Sequence, residues 1–311
     1  MHHLISVQTA PLIRRLGDRE AFKAFRAAGF EALDYGICDL TPFQYAKNGE
    51  GESFFNKPDE EILAHFREAA RMAKEEGIRI GQTHSPFPCC DYVDKKPVVT
   101  EHNLRLARLA IQITQILDCS YMVLHPIFTG AGDYDNDPEL RADMWEKNRA
   151  FYLTFLPELR EYGVKICVEN MWGGRSGHIV PSLMSHAEEM ARWIDALNAE
   201  AGEERFCACL DTGHCYLTGD DPAESIRILG ARLQRLHMHD VQPDRDLHTV
   251  PFTGMAKWEE IAAALREVGY AGTINFEAGG FADRVPAPLT VPATNYLGTV
   301  ADYVRNLVDA E

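Results

Sequence analysis

Several features that would assign the chain quickly are missing. Its eight cysteines, Cys38, Cys89, Cys90, Cys119, Cys167, Cys207, Cys209 and Cys215, form no CxxC pair, so a zinc ribbon is a poor reading. No GxGxxG and no P-loop occurs, and "SVQTAPLIRRLGD" after the first apolar run carries no glycine-rich phosphate turn. That argues against a doubly wound nucleotide-binding sheet. No apolar run approaches the roughly 18 residues of a membrane span. The opening "MHHLISVQTAPLIRRLGDRE" has no basic segment leading into a long apolar stretch and cleavage site, so no signal peptide is read. Basic residues are scarce: 31 Lys and Arg against 47 Asp and Glu, a net charge of −16. This balance favours solubility and speaks against broad nucleic-acid binding, which needs a basic face. Cysteines scattered through strand-like segments read as reduced and buried, and a cytoplasmic location is expected.

The 311 residues, 46% apolar and 25% charged, fit one large α/β barrel. Eight short apolar runs read as strands: 4–9, 30–36, 78–84, 121–126, 164–170, 206–214, 233–240 and 273–280. Helix-like segments lie between them, at 58–77, 101–118, 137–163, 183–200, 221–230, 255–270 and 294–310. The first of these starts at Pro58 with acids in its first turn and stops at Gly77. Alternating strands and helices predict a (β/α)8 TIM barrel forming a single domain over 1–311. Long loops at about 36–57 and 170–182 are expected to shape a pocket.

The strand ends carry the chemistry. Successive strands from the third onward end on His84, His125, Glu169, Asp211, His237 and Glu277. In a barrel these ends meet at one face, where active sites sit. Taken alone, each residue has a structural explanation: a histidine after a strand is usually a hydrogen-bonded core residue, and Asp211 before Thr-Gly-His could cap a helix. Glu169 and Glu277 are harder to dismiss, because a carboxylate on a buried strand is expensive without a partner. Carboxylates mixed with imidazole suit a hard or borderline divalent cation, Mn²⁺ first, with Mg²⁺, Co²⁺ or Zn²⁺ as alternatives. Strand parity also turns Arg235 and Asn275 inward, against the apolar filling usual for barrels. Cys207 and Cys209 share parity with Asp211 and read as small filler beneath it.

"VEN", "LDTGH", "HMHD", "LHP" and "VPFTG…WEEIAAALREVGYAGTINFE" together resemble the xylose-isomerase-like TIM-barrel superfamily, from the first strand to about residue 280. The group includes sugar phosphate isomerases, ketose 3-epimerases and zinc endonucleases for abasic DNA. The resemblance to ketose 3-epimerases implies that Glu169, Asp211, His237 and Glu277 hold one metal. It also implies that Glu169 and Glu277 are the acid/base pair and that His214 binds substrate oxygen. His84, His125, His239, Arg245 and Trp172 are further candidates for substrate binding; Phe43, Tyr45, Trp145, Arg175 and His178 stand behind them. Barrels of this group often pair, so a homo-oligomer is compatible with the resemblance.

The function expected is a metal-dependent isomerase or epimerase acting on a small carbohydrate through an enediolate, with no nucleic-acid or membrane partner. The same parts serve a lyase, a dehydratase or an eliminase of oxidised glycosides. The third option is an abasic-site endonuclease, whose trinuclear zinc cluster would enlist His84, His125, Asp246 and His248.

Overall fold

A computed structural model of the chain describes residues 2–94, 96–127 and 133–310. Its central sheet has eight parallel strands: β1 (Ile5–Gln8), β2 (Ala32–Gly36), β3 (Arg79–His84), β4 (Tyr121–Val123), β5 (Lys165–Glu169), β6 (Phe206–Asp211), β7 (Leu233–His237) and β8 (Ile274–Phe276). They run in the order β7-β6-β5-β4-β3-β2-β1-β8. The barrel closes between β7 and β8 through Met238, whose N–H donates to the Asn275 carbonyl while Glu277 N–H donates to the Met238 carbonyl. This is the expected TIM barrel, with each predicted run containing a strand.

Sequence explains the elements locally. Strands covered on both faces read as unbroken apolar runs, as in "ICV" of β5 and "CACL" of β6, all buried. In the helix Asp59–Glu75, Ile62, Phe66, Ala69 and Ala73 recur at helical spacing and are all buried. Thr100 and Asn103 form a reciprocal capping box at the start of the helix Glu101–Ile116.

Two helical expectations change. The predicted 137–163 helix is two helices, Pro138–Leu153 and Leu156–Tyr162, with Pro157 in the first turn of the second. Proline lacks the N–H that a continuous helix would need there. The 183–200 segment enters its helix only at Ala187, because Ser185 Oγ first accepts from Ser182 N–H in a tight turn. The loop at 36–57 folds into a 3-10 turn (Cys38–Leu40), a short helix (Phe43–Asn48) and a second turn (Phe54–Asn56). The loop at 170–182 is a hairpin pairing Trp172–Arg175 with His178–Pro181.

Inside the barrel the layers are unusual. Val123, Cys167, Cys207 and Cys209 form a small cluster of their own, with the Cys167 and Cys207 sulfurs 3.2 Å apart. All eight cysteines are free, and all but Cys38 are buried. The inward Arg235 is real: its guanidinium lies 3.4 Å from the Tyr121 ring centroid and donates to the Gly81 carbonyl. Among the described residues no helix is long and apolar enough to cross a membrane.

Gly298, in the helix Thr290–Asp309, faces the end of the helix Asp18–Ala27; a Cβ there would lie 2.0 Å from the Ala28 carbonyl oxygen. Ordinarily, Gly→Ala inside a helix gains about 1 kcal/mol. Here the clash reverses the sign, and Gly298→Ala is expected to cost about 1–3 kcal/mol. Chemical denaturation would show it; a stabilised variant would contradict the packing described.

Candidate active site

Five of the six predicted strand-end residues are buried, and His125 is partly so. His84, Glu169, Asp211 and His237 are the last residues of β3, β5, β6 and β7. Glu277 follows β8 directly, and His125 lies two residues past β4. The turn into the next element therefore sets where each side chain points.

His237 is the hub. Its Nε2–H donates to Asp34 Oδ2 at 3.1 Å, and its Nδ1 faces Glu169 Oε1 at 2.9 Å and Glu277 Oε2 at 3.0 Å. With acceptors on both nitrogens, the ring is held as a cation; burial opposes this, and the surrounding acids, Glu169 and Glu277 among them, outweigh it. Burial also favours neutral Glu169 and Glu277, yet the imidazoles beside them hold both carboxyls well below the usual range. Asp34 is itself fixed by the Gln82 and Asn275 side-chain amides, at 3.0 and 3.2 Å. The inward Asn275 thus belongs to a polar layer that orients His237. Gln8, the last residue of β1, donates to Glu277 Oε1 at 2.8 Å.

Asp211 does two things at once. One carboxylate oxygen caps the short helix Thr212–Thr218, accepting from His214 N–H at 2.7 Å; the other faces His239 Nε2 at 3.0 Å. Asn170 locks the ends of β5 and β6 together, accepting from Asp211 N–H and donating to the Asp211 carbonyl. Gly213 has ordinary backbone angles; glycine is needed because a Cβ would sit 2.1 Å from His239 Cε1. It makes room for a ring rather than a turn.

His214, His239 and His248 gather around Asp246. His214 and His248 donate Nδ1–H to the Asn170 and Glu277 carbonyls, at 2.8 and 3.0 Å. Their Nε2 atoms consequently face the two Asp246 oxygens, at 3.3 and 3.2 Å. Burial pushes both imidazoles down, but the surrounding carboxylates carry His214 up to about 10 and His248 up to about 9. On the far side, His84 Nε2 and His125 Nε2 are 3.1 Å apart, and His125 Nε2 lies 2.9 Å from Glu169 Oε2.

Ligand atoms of Glu169, Asp211, His237 and Glu277 all lie within 4.8 Å of one another. The set His84, His125 and Glu169 and the set His214, His239, Asp246 and His248 meet the same limit. The donors fit a divalent cation. Oxygen-rich, with an imidazole whose second nitrogen is tied to a carboxylate, the first set has the usual form of a metal-ligating histidine and its support. Glu169 Oε2 and Asp246 Oδ1 are buried beside imidazole nitrogens of His125 and His248 but make no aligned hydrogen bond, an environment that suits a cation.

Above this floor opens a cavity of about 480 Å³, bordered by Glu169, Glu277, His84, His125, His214 and Trp172 among others. Phe43, Phe87, Met171 and Trp172 give it apolar walls, and no lysine or arginine lies among its described lining residues. Trp172 Nε1–H donates to Asp246 Oδ2 at 3.1 Å. Arg245 is elsewhere: it is exposed on the hairpin strand Arg245–Thr249 and does not border the cavity, whereas the adjacent Asp246 does. His239 sits fully buried below the cavity wall. Tyr45 is a loop anchor bonded to the Phe55 carbonyl, and Trp145 packs on Trp193. Arg175 pairs with Asp133 on the surface, and His178 is exposed.

Sequence reasoning passed over Gln8, Asp34, Gln82 and Asp39. The strand-end rule applied to β1 would have found Gln8; inward parity in "FEALDYG" would have found Asp34.

A family model described as xylose isomerase-like TIM barrel matches residues 22–294. Inosose dehydratase from Lacticaseibacillus casei is 26% identical over 162 residues, 47% of this chain and 50% of that protein. The chain thus spans half the length of that relative. Two solved structures share the fold. Escherichia coli 3-keto-D-glucoside 4-epimerase superposes with a TM-score of 0.67 at 12% identity, over 96% of this chain and 99% of that one. D-psicose 3-epimerase with D-tagatose, from Clostridium cellulolyticum H10, gives 0.66 at 16% identity over 100% of both.

Asp34 does not border the cavity, and its hydrogen bond to the metal-ligand set runs through His237. Asp34→Asn is expected to weaken Mn²⁺ binding about 10–100-fold, measured by calorimetric titration with circular dichroism unchanged. Wild-type affinity in the variant would show that the Asp34–His237 bond has no part in metal binding.

Proposed function

The chain belongs to the xylose isomerase-like TIM barrel family, and from that premise we propose that it is a divalent-metal-dependent isomerase or epimerase of a neutral carbohydrate. The observation that carries the reading is the convergence of Glu169 and Glu277, from strands three apart in the barrel, on one histidine nitrogen at the cavity floor. Glu169, Asp211, His237 and Glu277 would hold the ion, Mn²⁺ by preference. When bound, the cation would stabilise negative charge developing on a carbonyl oxygen.

The chain's own residues do the rest. Glu169 and Glu277 are kept ionised by the imidazoles around them, so either can take a proton from the carbon beside the carbonyl. The first can return that proton to the neighbouring carbon; for inversion at one carbon the other takes a proton from solvent and delivers it to the opposite face, while the first releases its own to solvent. His214, its ring oriented by the Asn170 carbonyl, borders the cavity with Nε2 toward Asp246 and can donate to a substrate oxygen that displaces that contact; His84 and His125 line the opposite wall. Trp172, Phe43 and Phe87 cover the apolar face of a ring and exclude water. Absence of lysine and arginine from the described lining favours a substrate without phosphate. We read the chain as one barrel domain, with loops 36–57 and 170–182 supplying Phe43 and Trp172 to the cavity.

Elimination is the second reading, favoured by a further carboxyl at the cavity edge, Asp39. The abasic-DNA reading gains from the two additional ligand sets but needs a basic groove. A net charge of −16 and a cavity without described cationic lining weigh against it.

Three outcomes are expected from metal-loaded protein screened on ketoses and keto-glycosides. Chelation abolishes turnover and Mn²⁺ restores it. Glu169→Gln and Glu277→Gln each lower kcat at least about 100-fold with the fold retained. Unchanged turnover in both variants would remove the acid/base assignment.

A further inference from the structure

Four carboxyl groups border the cavity: Asp39, Glu169, Asp246 and Glu277. Three are clasped by imidazoles. Asp39 is not, and it makes no ion pair among the described residues. It lies on the turn Cys38–Leu40 just after β2, and it borders both the main cavity and the cleft opening beside Glu277. Its carboxyl folds back over Gly36, where any Cβ would lie 2.1 Å from Oδ2. Oδ2 is enclosed and has no hydrogen-bond partner among the described residues. Oδ1 has a distant thiol, Cys38 Sγ at 3.9 Å.

The charges around Asp39 come from four directions. Burial dominates and favours the acid form; His84 on β3 and Arg14 before β2 oppose it, while Asp34 on β2 and Glu277 after β8 support it. The outcome is a carboxyl pushed up to about 7, whereas burial of Glu169, Glu277 and Asp246 is overridden by imidazoles that pull them down. Carboxyl groups driven apart in this way divide the acid and base roles between them. Epimerisation needs two proton carriers, and two glutamates already supply them. A third, held as an acid, is superfluous unless an oxygen must leave.

We propose that Asp39 is a third proton-transfer residue of this site, the acid that protonates a substrate oxygen as its bond to carbon breaks. The proposal takes up the elimination reading of the preceding section and rests on the metal-assisted proton abstraction that both readings share. One glutamate takes the proton from the carbon next to the carbonyl, and the electron pair of that C–H bond becomes the new C=C bond. The C–O pair on the neighbouring carbon departs with its oxygen, which takes the Asp39 proton and leaves as water or an alcohol. Asp39 is left as a carboxylate and the glutamate as an acid; solvent resets both. The substrate enters already a ketone, so no oxidant is required.

The test uses the full chain loaded with Mn²⁺, in D₂O, with an inosose and a 3-keto-D-glucoside as probes. Wild-type protein is expected to exchange the proton beside the carbonyl and to release water or alcohol from at least one probe. Asp39→Asn should lower that release at least about 100-fold while exchange on the same probe continues. The wild-type release rate should fall as pH rises through the Asp39 titration, a limb missing from the variant. Gly36→Ala, which leaves Asp39 in place but displaces its carboxyl, should lower release as well. Infrared difference spectra, wild type minus Asp39→Asn at pH 6, should show the carbonyl stretch of one protonated carboxylic acid, a readout needing no turnover. Undiminished release in Asp39→Asn, exchange without release in the wild type, or an absent acid band would overturn the proposal alone. Absence of both exchange and release in the wild type would overturn the parent reading.

Discussion

Three carboxylates are buried side by side at one end of this barrel, and the surrounding structure is organised by that burden. Glu169, Asp211 and Glu277 are 1%, 0% and 6% exposed. Like charges this close and this dry are untenable without cations or protons among them. His237 places its positive charge between Glu169 and Glu277, and Asp34 on its other nitrogen supports that charge. Asp34 in turn needs the Gln82 and Asn275 amides. A polar layer therefore replaces the branched apolar layer that would normally fill a barrel beneath its mouth. Cysteines beneath it, small enough to fit between that layer and the Arg235–Tyr121 stack, complete the interior.

That same burden accounts for the surroundings of the ring. Tautomers of His214 and His248 are set by backbone carbonyls, so both present Nε2 to Asp246. Gly213 is free of a side chain so that the His239 ring can reach Asp211. A divalent ion at the hub would take over from the His237 Nδ1 proton and relieve the crowding of negative charge. In this account metal affinity and the ionised state of both glutamates have one cause.

Much of this was legible in the sequence because strand period and strand ends are local signals. Eight apolar runs identified eight strands, and the rule that strand ends meet at one face brought together His84, Glu169, Asp211, His237 and Glu277. Arg235 and Asn275 read as anomalies only because parity reports direction and not partners. Their partners, Tyr121, Gly81 and Asp34, lie on other strands, and pairing across a barrel has no local signature. Arg245 shows the converse limit. One residue of hairpin register sends Asp246 to the cavity and Arg245 to solvent, and no period in "QPDRDLH" decides between them. Whether Asp211 caps or coordinates posed a false choice, since its two oxygens face different ways.

The central claim is that one divalent ion sits among Glu169, Asp211, His237 and Glu277 at the cavity floor. Diffraction at the manganese absorption edge, from crystals grown with Mn²⁺, tests it most directly. An anomalous peak bonded to His237 Nδ1 and to oxygens of the three carboxylates is the result predicted. No peak there, or a His237 ring still hydrogen-bonded to Glu169 and Glu277 with the ion bound elsewhere, would contradict the account.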